Sequence, residues 1–374
     1  MARTLTVHQV GARPVETLIT PTLPLSLDLE SKLVLKKLAA AHRSLAELKG
    51  AAGLVPNEAI LINTLSLQEA KDSSAIENIV TTHDDLYRSD AYANRFASLA
   101  AKEVYQYAQA LREGFERVRK ARLITINDIL AIQATIENNE AGFRKLPGTS
   151  LKNDKTGEIV FTPPQKHEDI LRLMGNLESF INEDQLTDLD PLTRMAIMHH
   201  QFETIHPFYD GNGRTGRILN ILFLVRLDLL GTPVLYLSRF INQNKAEYYR
   251  LLQAVRTDGV WEDWIMFVLE GVEQTARQTT RLVHRIKDLM LVHKAKIRRE
   301  LPRIYSQDLL NNIFGHPYSK IAFVERDLSV SRITATRYLD ELTKIGVMEK
   351  LKMGRDNYYV NHELVDLLCQ VQAV

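Results

Sequence analysis

The chain has 374 residues, with 45% apolar and 25% charged side chains, and 47 basic groups against 46 acidic ones. This is the composition of a soluble protein with a real core, and a formal net charge of +1 excludes attachment to nucleic acid or membrane by bulk charge alone. The single cysteine, Cys369, excludes an internal disulfide framework and a cysteine-built zinc site. With no long apolar run near Met1 and no membrane-length stretch elsewhere, a cytoplasmic protein is expected.

Pro14, Pro21 and Pro24 make the first thirty residues read as an extended arm. From Asp28, leucines at 33, 35, 38, 45 and 48 recur at helical spacing up to Gly50. Gly53 and Pro56 break that pattern, and Asn57 is placed to cap a helix running to about Lys71. A helix over about 94–118 follows, and a helical bundle continues to about His293, with Pro163, Pro164, Pro191 and Pro233 at its joints. Thr149–Leu151 and Ile159–Phe161 flank an Asn/Asp/Gly turn and predict a β-hairpin. A lone hairpin is marginal unless it packs on something.

The segment His206-Pro207-Phe208-Tyr209-Asp210-Gly211-Asn212-Gly213-Arg214-Thr215-Gly216-Arg217 precedes an apolar helical pattern over 218–225. Glycines before a helix turn backbone amides toward an anion, and the helix N-terminus adds partial positive charge. Arg214 and Arg217 supply guanidinium forks for phosphate oxygens, Asp210 a carboxylate for Mg²⁺, and His206 a base of near-neutral pKa. His199, Glu203 and His206 share one helical face, but the zinc-helix spacing is absent, so His199 and His200 read as packing residues beneath the loop.

His206–Arg217 fits the pattern His-x-Phe-x-Asp/Glu-Gly-Asn-Gly-Arg-x-x-Arg at every fixed position, and the chain is identified by it as a member of the Fic family. Gly142-Phe143-Arg144, the hairpin and Phe161–Pro164 resemble the family's target-binding flap; Glu247–Leu252 resembles its adenine-side helix. The resemblance implies AMP transfer from ATP and Mg²⁺ to a Tyr, Ser or Thr hydroxyl of a target protein. In that scheme His206 takes the hydroxyl proton and Asp210 holds Mg²⁺. The amides of Gly211, Asn212 and Gly213 hold phosphate oxygens, with the Asn212 side chain also in reach. Arg214 meets the inner phosphates and Arg217 the γ-phosphate. Tyr249 and Leu252 line the adenine. The kinase-like branch carries Lys where this chain has Gly213.

Ser73-Ser74-Ala75-Ile76-Glu77-Asn78 resembles the family's inhibitory motif, Ser/Thr-x-x-x-Glu-Gly/Asn, and also reads as an Asn-capped helix end. The resemblance implies that Glu77 occupies Arg217, with Ser73 steadying the contact. In some relatives the equivalent Glu positions a water that removes AMP, so reverse hydrolysis stays open.

Ser319–Phe323 is read as starting a helix, with Ser331 capping a second one and two β-segments after Gly346 forming a wing, a winged-helix pattern. Arg332, Thr334, Thr336, Arg337, Lys350, Lys352 and Arg355 favour DNA binding over residues 319–360, whereas Asp340, Glu341, Glu349 and Asp356 interrupt the basic patch. Protein docking or dimerisation is the other reading.

The expected fold is mainly α: a Fic-type helical bundle with a β-hairpin flap and a C-terminal winged-helix domain. The expected segments are 1–110 (N-terminal helical, inhibitory), 111–293 (catalytic core) and 294–374 (winged helix). The flap at 149–161 would hold protein substrates by strand pairing, which allows self-modification; a homodimer fits the resemblance. The alternatives are a nucleotide-sensing winged-helix transcriptional regulator and transfer of another nucleotide such as UMP or GMP.

Overall fold

A computed structural model describes residues 20–89, 95–152, 156–353 and 356–370. The expected extended arm before Thr20, and the tips of the two expected hairpins at 153–155 and 354–355, lie outside the described residues. The architecture is mainly helical. Helices α1 (Lys32–Ala52), α2 (Glu58–Ile76), α3 (His83–Arg88), α4 (Leu99–Ala121) and α5 (Ile126–Glu137) precede the antiparallel pair β1 (Leu151–Lys152) and β2 (Ile159–Phe161). Then come α6 (His167–Asn182), α7 (Pro191–Ile205), α8 (Asn212–Arg226), α9 (Leu237–Gln243), α10 (Lys245–Asp258) and the 40-residue α11 (Trp261–Glu300). The last part is α12 (Gln307–Gly315), β3 (Tyr318–Ser319), α13 (Ile321–Leu328), α14 (Arg332–Lys344), β4 (Glu349–Met353), β5 (Asp356–Val360) and α15 (His362–Gln370).

Asn57 caps α2 as expected, its side chain accepting from Ala59 N, but α2 continues past Lys71 to Ile76. Serines and aspartate are weak helix formers, and tertiary partners override that preference here. Asp72 pairs with Arg239 at 3.2 Å, and Ser73 meets Arg217. One turn earlier, Glu69 accepts from Tyr107 Oη at 3.1 Å and Ser238 N at 3.2 Å. Burial pushes its carboxyl up to about 7. The helix closes in a Schellman motif. Asn78 takes the left-handed conformation at φ 62°, Ile79 N donates to Ser74 O, and Asn78 N donates to Ala75 O, both at 3.0 Å. The capping reading of Asn78 and the placement of Glu77 at a helix end are therefore both met.

Helices α7 and α8 form the centre. Every residue of α7 from Leu192 on is buried, as is nearly all of α8, and Trp264 of α11 donates to Ala196 O at 2.9 Å from below. The basic stretch beginning at Lys287 continues α11, whose buried Ile286, Met290, His293 and Ile297 hold the helical stripe. The expected division at 293/294 falls inside this helix.

The last part has winged-helix order, helix–strand–helix–helix–hairpin, with sheet order β3-β5-β4. Tyr318 and Ser319 pair with Val360 and Tyr359 in the sheet, so the helix expected from Ser319 starts two residues later. Ser331 caps α14 as expected, accepting from Thr334 N. This unit rests on α3: Tyr318 Oη donates to Asp84 at 3.1 Å, Tyr358 Oη donates to Arg88 O at 3.0 Å, and Tyr318 stacks on Tyr87.

Candidate active site

The site forms where α7 ends and α8 begins. His206 closes α7 in the left-handed conformation, φ 48°, with its amide donating to Phe202 O at 2.9 Å. Gly211, at φ 80°, opens α8, a backbone state that suits glycine. Gly213, Arg214, Gly216 and Arg217 thus lie in the first turns of the helix and not in the loop before it. Asn212 is buried with its side chain turned back on the loop: Oδ1 accepts from Phe208 N, and Nδ2 donates to Phe208 O, both at 2.8 Å. Its side chain is committed to holding the turn closed.

Arg144 grips the same turn from outside. Its Nε donates to His206 O at 2.7 Å, its Nη2 to Ile205 O at 3.3 Å and to Pro164 O, and its backbone N to Pro207 O at 2.9 Å. The exposed Tyr209 accepts the amides of Lys145 and Leu146, at 2.9 and 3.1 Å. The hairpin is therefore tied down at its base. Leu151 and Phe161 pair across it and are buried, and Arg256 stacks over Phe161 at 4.1 Å while donating to Glu203 O and Thr204 Oγ1. Replacing Arg144 with Met orphans three carbonyls, two of them flanking the catalytic turn. A stability loss of about 3 kcal/mol is expected, read as a lower denaturation midpoint.

Arg217 is buried and fully engaged with α2. Its Nη2 donates to Glu77 Oε1 at 2.9 Å and to Ser73 O at 3.0 Å, and its Nε donates to Ser73 Oγ at 2.8 Å. Against the cost of burial, the Glu77 carboxylate holds the guanidinium pKa above its usual range. Gly213 makes room for this contact: a Cβ there would collide with Glu77 Oε1 and stand 2.9 Å from Arg217 Nη1. Arg214 turns elsewhere, pairing with Glu137 and, at 3.5 Å, with Glu103.

His206 Nδ1 is enclosed without a partner. That enclosure, reinforced by the Arg144 and Arg256 cations, pushes its pKa down to about 3, so the imidazole is neutral. Burial pushes the Glu203 carboxyl up to about 7, with Arg217 opposing the shift and Glu77 adding to it. His199 and His200 pack beneath as expected, on Tyr248 Oη at 2.9 Å and Leu252 O at 3.2 Å. Among the described residues no group of three or more His, Cys, Asp or Glu is placed to hold a metal by itself.

The structure brings Glu77, His206, Asp210 to Arg214, Arg217 and Tyr249 around one cleft of about 40 Å³. Leu252 is not in its lining; it is buried one turn along α10, its carbonyl used by His200. Sequence reasoning missed Glu137, Glu103 and Arg256, read Glu203 only as sharing a helical face with His199 and His206, and read Arg144 only as part of the flap. Glu137 closes α5, and a helix end is the signal that could have pointed to it.

A helix-opening glycine turn, a neutral histidine and a buried arginine shared with an N-terminal helix define a Fic-type fold and site. The chain matches the Fic/DOC family N-terminal domain over 35–116, the Fic/DOC family over 123–224, and the C-terminal domain of protein adenylyltransferase SoFic-like over 289–364. It belongs to the Fic/DOC family. It is similar to protein adenylyltransferase Fic of Drosophila grimshawi, 27% identical over 199 residues, 53% of this chain and 37% of that protein. The same-named protein of Drosophila mojavensis is 32% identical over 192 residues, 51% of this chain and 34% of that one. The chain thus spans 37% and 34%, little more than a third, of these relatives' length. Among solved structures, a Fic family protein from Desulfovibrio desulfuricans G20 shares the fold at a TM-score of 0.56 and 20% identity, over 88% of this chain and 96% of that one. Fic-1 from C. elegans does so at 0.53 and 22%, over 67% and 73%.

Proposed function

We propose that this protein transfers AMP from ATP to a side-chain hydroxyl of a protein and that its own α2 restrains the reaction. The observation that carries this is the Glu77–Arg217–Ser73 contact at the mouth of the glycine turn. His206 accepts the target hydroxyl proton, the hydroxyl oxygen bonds to the α-phosphorus, and pyrophosphate leaves. The amides of Gly211, Asn212 and Gly213 and the α8 N-terminus hold phosphate oxygens, Arg214 serves the inner phosphates and Arg217 the γ-phosphate. In this reading Tyr249 flanks the adenine from the cleft wall, and Leu252 lies one turn further along α10.

The donor set fits Mg²⁺ that arrives with the nucleotide. Mg²⁺ is typically held by one or two carboxylates together with substrate phosphates, and Asp210 is the carboxylate of the turn, its Oδ1 accepting from Gly211 N at 2.7 Å. When bound, the ion neutralises phosphate charge.

The restraint reading is supported by size. A cleft of about 40 Å³ is far below the roughly 300–1,000 Å³ of small-molecule sites. With Glu77 on Arg217, a triphosphate cannot take its full place. In this reading residues 1–110 carry the restraining helix, 111–293 the transfer core and 294–374 a winged-helix unit, with α11 running through the second division. The base-tied hairpin at 149–161 offers its free edge to an extended target segment, including one from a second copy of the chain. In this reading Glu77, which lines the cleft, also serves the reverse hydrolysis of AMP-modified protein.

The test uses ATP labelled separately at the α- and γ-phosphates. Label reaching protein from the α-position supports AMP transfer. Label from the γ-position alone replaces it with a kinase-like reaction, and suppression by excess UTP or GTP redirects the donor.

A pH effect follows from Glu203. Its folded pKa of about 7 lies above the usual carboxyl value, so the folded state binds the proton more tightly than the unfolded one. The stabilisation is fully present below the unfolded pKa and is lost as pH rises through 7. Glu203→Gln is expected to flatten that loss, gaining on the order of 3 kcal/mol on the parent at pH 8 relative to pH 5. Denaturant unfolding at the two pH values measures it; equal pH dependence in parent and variant would refute it.

A further inference from the structure

A second cavity shares no lining residue with the catalytic cleft. It holds about 710 Å³, within the range of small-molecule sites, and opens at the seam between α2 and α4 on one side and the α12–β3–α13 run of the winged-helix unit on the other. Nothing in the proposed transfer reaction uses it.

Its lining combines three features. The first is aromatic: Tyr105, Tyr318 and Phe323 face it, and Tyr318 is fixed by its stack on Tyr87 and its bond to Asp84. The second is cationic. Lys102 and Arg112 of α4 both line the cavity, and among the described residues neither has an ion-pair partner. The lining carboxylate, Glu113, is engaged instead by Gln109 and Thr135. The third is an unmet polar group: Ser66, 2% exposed, lines the same cavity, and its Oγ has no hydrogen-bond partner. A buried hydroxyl left unsatisfied is uncommon and calls for a partner that the protein itself does not provide.

We propose that this cavity is a second ligand site, for an elongated small molecule with aromatic rings and an acidic group toward each end. Ten residues separate Lys102 from Arg112, about 15 Å along the helix. The aromatic side chains lie where the rings of such a molecule would stack, with Ser66 in the wall between them. Ser66 also precedes Ser73 by two turns of α2, so an occupant bears on the helix that ends at Glu77. Any effect on AMP transfer rests on the function proposed above; the binding site does not.

Titration of the full chain with the dianionic dye bis-ANS, followed by fluorescence, tests the site. One saturable site is expected, weakened at least tenfold by Lys102→Glu and by Arg112→Glu, and weakened also when Leu67→Trp narrows the cavity. Uncharged phenylnaphthylamine is expected to bind at least tenfold more weakly than the dianion. A thermal midpoint matching the parent identifies the folded variants; if charge reversal unfolds the chain, Lys102→Met and Arg112→Met carry the same comparison. Parent-like dye binding in the charge variants, equal binding of the uncharged dye, or parent-like affinity in Leu67→Trp would each overturn the proposal, whatever the outcome of the ATP-labelling experiment.

Discussion

Glu77→Gly is expected to raise the rate of AMP transfer on the order of a hundredfold, the scale that a displacement of about 1 Å imposes on a reacting group. The carboxylate removed is the one on Arg217 Nη2, and Gly213 beside it leaves open the space that Glu77 vacates. Arg217 is not set adrift, because Ser73 Oγ and Ser73 O still hold its Nε and Nη2 at 2.8 and 3.0 Å. The same change removes the partner of a buried cation, a loss typically worth about 3–5 kcal/mol. Here Glu203 answers it: freed from Glu77's negative charge and still facing Arg217, it gives up its proton at lower pH than in the parent. The variant should therefore be faster and less stable, and saturating ATP should raise its melting temperature more than the parent's. Measuring α-label incorporation alongside thermal shift separates the outcomes. A variant that melts lower but labels no faster would mean that the contact is structural and not a restraint.

His206→Ala is expected to remove transfer in the Glu77→Gly background by about 10²–10⁴-fold, the usual worth of a positioned base. Nucleotide binding should survive, since the amides proposed to hold phosphate sit at the start of α8 and not on His206. Enclosure keeps this imidazole neutral well below the normal histidine range, its pKa being about 3. A plot of log kcat/KM against pH should consequently show no break near 6.5 arising from His206. Undiminished labelling by the double variant would pass the proton to another group, and Glu203 would be the first to examine.

Much of the site was legible because its chemistry is contiguous: His206 to Arg217 carries histidine, carboxylate, glycines and arginines within one turn and one helix start. The restraint was legible only by resemblance, since no spacing rule connects residue 77 to residue 217. Arg144 was opaque for another reason. Its partners are the backbone carbonyls of Ile205, His206 and Pro164, and carbonyls leave no mark in a sequence. Glu137 and Glu103 escaped because Arg214 was read as waiting for phosphate, whereas the folded chain already supplies it with carboxylates. In the fold, helix starts at Asn57 and Ser331 followed from their capping side chains. The end of α2 and the course of α11 did not, because buried polar contacts and a long apolar stripe carried each helix beyond its local propensity.

At 1.5 Å per residue, the 40 residues of α11 measure about 60 Å. That spar begins under the floor of the cleft, where Trp264 touches Ala196, and ends beside the winged-helix unit, where His293 meets Glu363. Under the proposed transfer, a partner held at the last unit as well as at the hairpin would sit at one end of a rigid helix whose other end lies under the cleft. A loop or tail of that partner would then reach the cleft only if its length matched the helix, and choice of the modified hydroxyl would be a matter of reach as much as of local sequence.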